Sequence, residues 1–286
     1  MTVFNTWWKE HRRDYDAILF DIDGTLIAAK KLLPGADELL AELRREHFPF
    51  YLLTNDGNHS TEEKSVLMAK AGLHVSPDEI VSCSMALKQF AEDRALQGKT
   101  FFIMGDLGVP CYTERAGLKS TRDTHELDNC AGVIVGEGFY NWHDHIQAVF
   151  NFLKKHPERP LVVPNPDSYW PSSKKGEFGI GAGAKARFIC GILAEMGIVV
   201  EPVYLGKPFQ LIYEYTLHLL KERFQLAANL PHERIIMLGD SLQSDIKGAN
   251  QVGITSGLML TGITTFEQAE KAEAPLKPDY IFETIG

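Results

Sequence analysis

Short blocks of consecutive apolar residues, each stopped by a cluster of Asp, Asn, Gly and Thr, mark both ends of this chain. Ala17-Ile18-Leu19-Phe20 runs into Asp21-Ile22-Asp23-Gly24-Thr25, and Phe50-Tyr51-Leu52-Leu53 runs into Thr54-Asn55-Asp56-Gly57. The blocks are apolar at every position rather than at alternate ones, which predicts strands buried on both faces, as in a parallel sheet covered by helices. Between them, Pro34-Gly35-Ala36-Asp37 opens an amphipathic helix to about residue 45. Strand, helix, strand is the unit that places two strands side by side and parallel. A helix over 60–71 and a strand over 79–82 extend the scheme. It resumes with a helix over 209–224, the strand Arg234-Ile235-Ile236-Met237-Leu238 ending in Gly239-Asp240-Ser241, and strands at 256–260 and 280–281.

The pattern changes in between. From about residue 90 to residue 203, glycines and prolines are frequent, with apolar strands at 100–104, 132–135 and 161–163 and helices around 141–155 and 184–196. This stretch predicts a small α/β domain of its own. The expected organisation is α/β: a doubly wound, Rossmann-like parallel-sheet core in two parts, 1–88 and 204–286, interrupted by an inserted domain over 89–203. Residues 1–15 carry Trp7 and Trp8 but lack the apolar run of a signal peptide, and read as an added helix or arm that packs its tryptophans on the core.

Composition narrows the function. The chain has 286 residues, 44% hydrophobic and 23% charged, with net charge −9. That balance disfavours nucleic acid polymers and anionic membranes, and no run reaches membrane-spanning length, so a small diffusible substrate is expected. Cys83, Cys111, Cys130 and Cys190 form no CxxC pair and read as buried free thiols in a reducing cytoplasm.

Four polar groups directly follow predicted parallel strands: Asp21 with Asp23, Thr54 with Asn55, Lys207 within Gly206-Lys207-Pro208, and Asp240 with Asp245. Any one of them alone is ordinarily a turn or a helix cap. Together they meet, because ligand crevices of open α/β sheets lie at the carboxyl ends of the strands.

These segments, Asp21-Ile22-Asp23-Gly24-Thr25-Leu26, Leu53-Thr54-Asn55, Gly206-Lys207-Pro208 and Gly239-Asp240-Ser241-Leu242-Gln243-Ser244-Asp245-Ile246, resemble the four motifs of the haloacid dehalogenase superfamily. The insertion, with Asn165-Pro166-Asp167 and Gly181-Ala182-Gly183-Ala184, resembles the C2-type cap of its class IIA, which contains NagD-like and p-nitrophenylphosphatase-like phosphatases. The resemblance implies a magnesium-dependent phosphatase acting on a nucleotide, sugar phosphate, phosphoglycolate or pyridoxal phosphate. It implies Asp21 as nucleophile and Asp23 as acid and base. Gly24, Thr54, Asn55 and Lys207 would bind the phosphoryl group. Mg²⁺ would be held by the Asp21 side chain, the Asp23 carbonyl and the Asp240 side chain, with Asp245 behind them. Asn165 and Asp167 are the cap residues expected to reach the substrate, unless Asn-Pro-Asp only forms a turn. Homodimers through the cap are implied as well. A phosphomutase and a catalytically silent binding protein are the alternative functions.

Two departures stand out: Asp56, where the subfamily usually has a second asparagine, and Ser244, where threonine is usual. Gly179-Ile180-Gly181-Ala182-Gly183-Ala184-Lys185 matches no phosphate-loop pattern and reads as a turn into a helix. His143 and His145 read as surface histidines, and Tyr169 with Trp170 as packing within the inserted domain or, alternatively, as aromatic faces presented to the leaving group.

Overall fold

The computed structural model describes residues 2–171 and 177–286. The chain forms two compact units, one of Met1–Thr54, Lys64–Val81 and Lys207–Gly286, the other of Asn55–Glu63 and Ser82–Gly206. The expected boundaries at 89 and 203 both fall inside the second unit. The long segment of that unit begins at Ser82, the last residue of the strand Ile80–Ser82, and the unit also takes in 55–63, which no composition shift marks.

The first unit is built on a six-stranded sheet in the order Tyr280–Phe282, Thr255–Met259, Ile235–Gly239, Ala17–Asp21, Phe50–Thr54, Ile80–Ser82. The Ala17–Asp21 strand runs parallel to both neighbours, with Phe20 opposite Leu238 on one side and Leu52 on the other. All residues of the three central strands are buried, which is why their sequences show no alternation. The chain first builds outward from Ala17–Asp21 on one side and returns to its other side at Ile235–Gly239. That reversal makes the carboxyl end of Ala17–Asp21 the switch point where a crevice opens.

The N-terminal stretch is a helix, Phe4–His11, with Phe4, Trp7 and Trp8 buried. Phe4 stacks on Trp8 and meets Phe282 edge-on, with centroids 5.6 and 5.1 Å apart. The Phe4 and Asn5 amides donate to the Thr284 and Ile285 carbonyls. Two tryptophans that would cost several kcal/mol if left in water thereby cover the last strand of the sheet.

The second unit has a five-stranded parallel sheet in the order Val203–Tyr204, Leu161–Val163, Gly132–Val135, Thr100–Met104, Lys119–Thr121. Helices Trp142–Lys155 and Ala182–Glu195 bury Val149, Leu153, Ile189 and Leu193 in one apolar cluster with Phe102 and Val133. Asn141 caps the first helix by accepting from the Asp144 amide.

The antiparallel strand pair Tyr169–Pro171 and Phe178–Ile180 corrects the packing expected of Tyr169 and Trp170. Tyr169 and Trp170 are exposed on it rather than packed in a core, with the Trp170 ring lying against Gly179. The glycine-rich stretch begins inside the second of these strands, at Gly179, and turns at Gly181 into helix Ala182–Glu195, as expected. His145 is half-buried rather than fully on the surface: its ring lies 5.2 Å from both Phe102 and Tyr140, and burial lowers its pKa. Of the four free cysteines, Cys83 and Cys130 are buried, while Cys111 and Cys190 are only partly so.

Candidate active site

Asp21 and Asp240 are fixed by the ends of buried strands, whereas the strand before Lys207, Val203–Tyr204, is half-buried and belongs to the sheet of the second unit. Asp21 closes Ala17–Asp21 and sits opposite Leu53, so Thr54 ends the neighbouring strand one residue further on. Asp240 follows Ile235–Gly239, and Asp245 lies in the π-helical turn Leu242–Ile246. Lys207 reaches between them, donating to Asp21 Oδ1 at 2.5 Å, to Asp245 Oδ1 at 2.6 Å and to the Leu53 carbonyl at 3.2 Å.

Gly24 has φ +95°, and a Cβ there would run into the Asp240 carboxylate, so glycine alone allows the loop after Asp21 to pass so close. The same loop is tied down by the Gly24 amide on the Ile27 carbonyl and by the Leu26 and Ile27 amides on the Ile22 carbonyl.

The electrostatics follow from counting. Oxygens of Asp21, Asp240 and Asp245 lie within 4.8 Å of one another in a buried place, with one ammonium among them. Burial raises the Asp21 pKa well above the usual carboxylate range, opposed by Lys207. Burial and the charge of Asp245 push Asp240 up to about 7. Burial works against the Lys207 ammonium, but Asp21 and Asp245 outweigh it and hold its pKa well above the ordinary lysine value. Three carboxylates against one ammonium leave surplus negative charge, and the donors are all oxygen. Both features fit a hard divalent cation. Asp245 is already engaged through both oxygens, by Lys207 and by the Ser241 amide at 3.1 Å, which suits a supporting position.

Residues 18–119 match the model of the haloacid dehalogenase-like hydrolase family, and 204–286 match a second model, HAD-hydrolase-like. The chain belongs to the haloacid dehalogenase-like hydrolases. Dihydroxyacetone phosphatase of Corynebacterium glutamicum is 25% identical over 94% of this chain and 88% of its own length. Ribonucleotide monophosphatase NagD of Escherichia coli is 24% identical over 94% and 96%. A solved structure from Cytophaga hutchinsonii, a possible sugar phosphatase of the same superfamily, superimposes with a TM-score of 0.81 at 25% identity, covering 100% of this chain and 98% of that one.

In this haloacid dehalogenase-like hydrolase, Asp21, Asp23, Gly24, Thr54, Lys207, Asp240 and Asp245 all belong to the first unit. Asn55, Asn165 and Asp167 belong to the second, where the Asn55 side chain donates through Nδ2 to Asp167 Oδ2 at 3.2 Å. Asn165 accepts from the Asp167 amide and donates to Glu137 Oε1 at 2.9 Å, so Asn-Pro-Asp does form a turn, anchored on a glutamate. Asp56 is held locally: its Oδ1 accepts from the Asn58 and His59 backbone amides at 3.2 Å, and His59 Nδ1 lies 3.0 Å from both of its oxygens.

Sequence reasoning missed three supports. The Ile263 amide and the Thr264 hydroxyl bond to the Asp240 carboxylate and carbonyl, and the Thr261 hydroxyl donates to the Gly24 carbonyl at 2.6 Å. Their signal was Thr261-Gly262-Ile263-Thr264 just after another parallel strand. Tyr213 donates to the Asp245 carbonyl at 3.3 Å from inside a helix, with no sequence signal. The third, Lys64, donates to Asp23 Oδ2 at 2.9 Å.

Proposed function

We propose that this chain is a magnesium-dependent phosphatase that hydrolyses a small-molecule phosphate monoester through an aspartyl phosphate on Asp21. The carrying observation is the buried set of Asp21, Lys207, Asp240 and Asp245, in which carboxylates outnumber the ammonium. A phosphate dianion repels a carboxylate nucleophile unless cations offset both. Bound by the Asp21 and Asp240 side chains and the Asp23 carbonyl, with Asp245 in support, Mg²⁺ supplies the positive charge that lets carboxylate and phosphate approach.

The remaining work belongs to the chain. Lys207 orients Asp21 and carries charge toward the phosphoryl oxygens, while Thr54 and the Asn55 amide bind them. An Asp21 oxygen attacks phosphorus and the bond to the leaving oxygen breaks as Asp23 gives that oxygen its proton. Ionised Asp23 then takes a proton from water, which attacks phosphorus, breaks the bond to Asp21 and releases inorganic phosphate. Asp23 is suited to both steps because its side chain is largely exposed, whereas Asp21 is buried.

The names of the relatives support a sugar phosphate, triose phosphate or nucleotide as substrate. Asn165 and Asp167, with Asn55, are assigned to the leaving-group side. Among the described residues no helix is long and apolar enough to cross a membrane. We assign the enzyme to the cytoplasm, with a diffusible metabolite as its partner and homodimers formed through the inserted domain.

Single-turnover kinetics with intact-mass analysis test the roles. Asp21→Asn loses several orders of magnitude for every substrate and forms no phosphoprotein. Asp23→Asn loses more with an alkyl phosphate than with p-nitrophenyl phosphate, whose leaving group departs without a proton, and it accumulates phosphoprotein. Phosphoprotein from Asp21→Asn, or wild-type leaving-group dependence in Asp23→Asn, refutes this mechanism.

A further inference from the structure

We infer that Lys64 is a positioning residue that fixes the carboxylate of Asp23 for proton transfer. This rests on the reading of Asp23 as acid and base.

The helix Thr61–Lys70 opens with Thr61-Glu62-Glu63, side chains that suit its positive N-terminal end, and then places a lysine in its first turn. A cation is disfavoured there by the helix dipole. Lys64 is moreover 8% exposed, so its ammonium also gives up most of its hydration. Helix geometry would favour a neutral or acidic residue. What the lysine gains is a contact outside its own helix: Nζ donates to Asp23 Oδ2 at 2.9 Å across a separation of 41 residues. Both residues belong to the first unit.

The backbone around Asp23 is already rigid. Ile22 accepts from the Leu26 and Ile27 amides at 3.0 Å each, and Asp23 bridges to Ile27. What remains free is the direction of the Asp23 side chain, which is 70% exposed. A proton donor acts only within hydrogen-bond reach of the leaving oxygen, and a freely turning carboxylate spends little time there. The half of the pair held by burial, Lys64, therefore restrains the half that is in solvent. Lys64 belongs to the helix that follows the Thr54-Asn55 loop, so the proposed phosphate-binding segment and the restraint on the acid come from one stretch of chain.

The experiment is a cycle of Lys64→Met, Asp23→Asn and the double variant, read as the single-turnover rate of phosphoprotein formation from glycerol phosphate and from p-nitrophenyl phosphate. Methionine keeps the apolar stem packed, and the Asp23 carboxylate it frees is hydrated, so the fold persists; thermal unfolding checks this. Lys64→Met is expected to slow the alkyl phosphate about 10- to 100-fold and the nitrophenyl ester less than about threefold. It should add nothing further once Asp23 is asparagine, and Lys64→Arg should restore most of the rate. Equal losses on both substrates, or a loss that multiplies with that of Asp23→Asn, would make Lys64 structural or substrate-binding and overturn the inference. If Asp23→Asn by itself shows no leaving-group dependence, the role of Asp23 fails first, so the two failures are distinct.

Discussion

Lys207 in the first unit and Lys185 in the second are both almost wholly buried, and they respond to burial in opposite ways. Lys207 is pulled down by burial, but two aspartates override it and keep it charged. Lys185 yields to burial: its pKa falls to about 8, with Glu137 opposing only in part. Its Nζ donates to the Gly136 carbonyl and lies 4.9 and 4.8 Å above the rings of Tyr140 and Trp142. The first lysine stands among three carboxylates and the second among one carboxylate and two ring faces. The contrast teaches that burial does not make a lysine functional. The sign and number of its neighbours decide whether it is held ready for an incoming anion or merely packed.

The strongest way to break this contrast is Lys207→Met. Activity should fall by orders of magnitude, and two buried carboxylates left without their cation should destabilise the fold by roughly 3–5 kcal/mol; steady-state assay and urea unfolding measure both. Surviving activity would reduce Lys207 to the rank of Lys185.

Metal comes next. Chelation should abolish turnover and Mg²⁺ restore it, and at about 100 times its dissociation constant Mg²⁺ should add roughly 2.7 kcal/mol of stability. Thermal unfolding with and without Mg²⁺ should show the gain in wild type and in Lys185→Met but not in Asp240→Asn. A gain that survives Asp240→Asn would place the metal elsewhere.

A smaller effect concerns pH. The folded value of Lys185, about 8, lies below its ordinary value of 10.5, so between them the unfolded chain binds more protons. The penalty is fully present below pH 8, and stability from this group climbs as pH rises toward 10.5. The difference in unfolding free energy between wild type and Lys185→Met, measured along that range, should carry this slope; a flat difference contradicts it.

Least affected should be Glu137→Gln. Burial raises the Glu137 pKa, so its charged form is disfavoured in the folded state and its contribution to stability declines as pH rises through its titration. Glutamine keeps an oxygen for the Asn165 side chain and the Ala182 amide. Unfolding at neutral pH should change by less than about 1 kcal/mol. A loss of several kcal/mol would mean that the Glu137 charge is needed.

The parts of this architecture that were legible are those in which local sequence and burial agree. Ala17-Ile18-Leu19-Phe20 and Ile235-Ile236-Met237-Leu238 could only be strands buried on both sides, and Asp21 and Asp240 then had to emerge at one edge of the sheet. What stayed hidden depends on distant partners. The strand pair of Tyr169 and Trp170 exposes side chains whose size suggested a core. His145 is half-buried by Phe102 and Tyr140, residues that its own helix does not reveal. Lys64 and Tyr213 gain meaning only from a loop and a turn far away in the chain, and the assignment of 55–63 to the second unit follows no compositional break.

The strand order also sets a timetable for synthesis. Ala17–Asp21, among the first segments made, lies between Phe50–Thr54 and Ile235–Gly239, so one of its two edges has no partner until more than two hundred further residues have been translated. At about 5–20 residues per second that is a wait of roughly 10–40 s. The second unit, apart from 55–63, is one continuous stretch, Ser82–Gly206, whose five-stranded sheet is translated entirely within that interval. A nascent chain stalled once Gly206 has cleared the ribosome should therefore present a protease-resistant insertion, with the strand ending in Asp21 still open along one side.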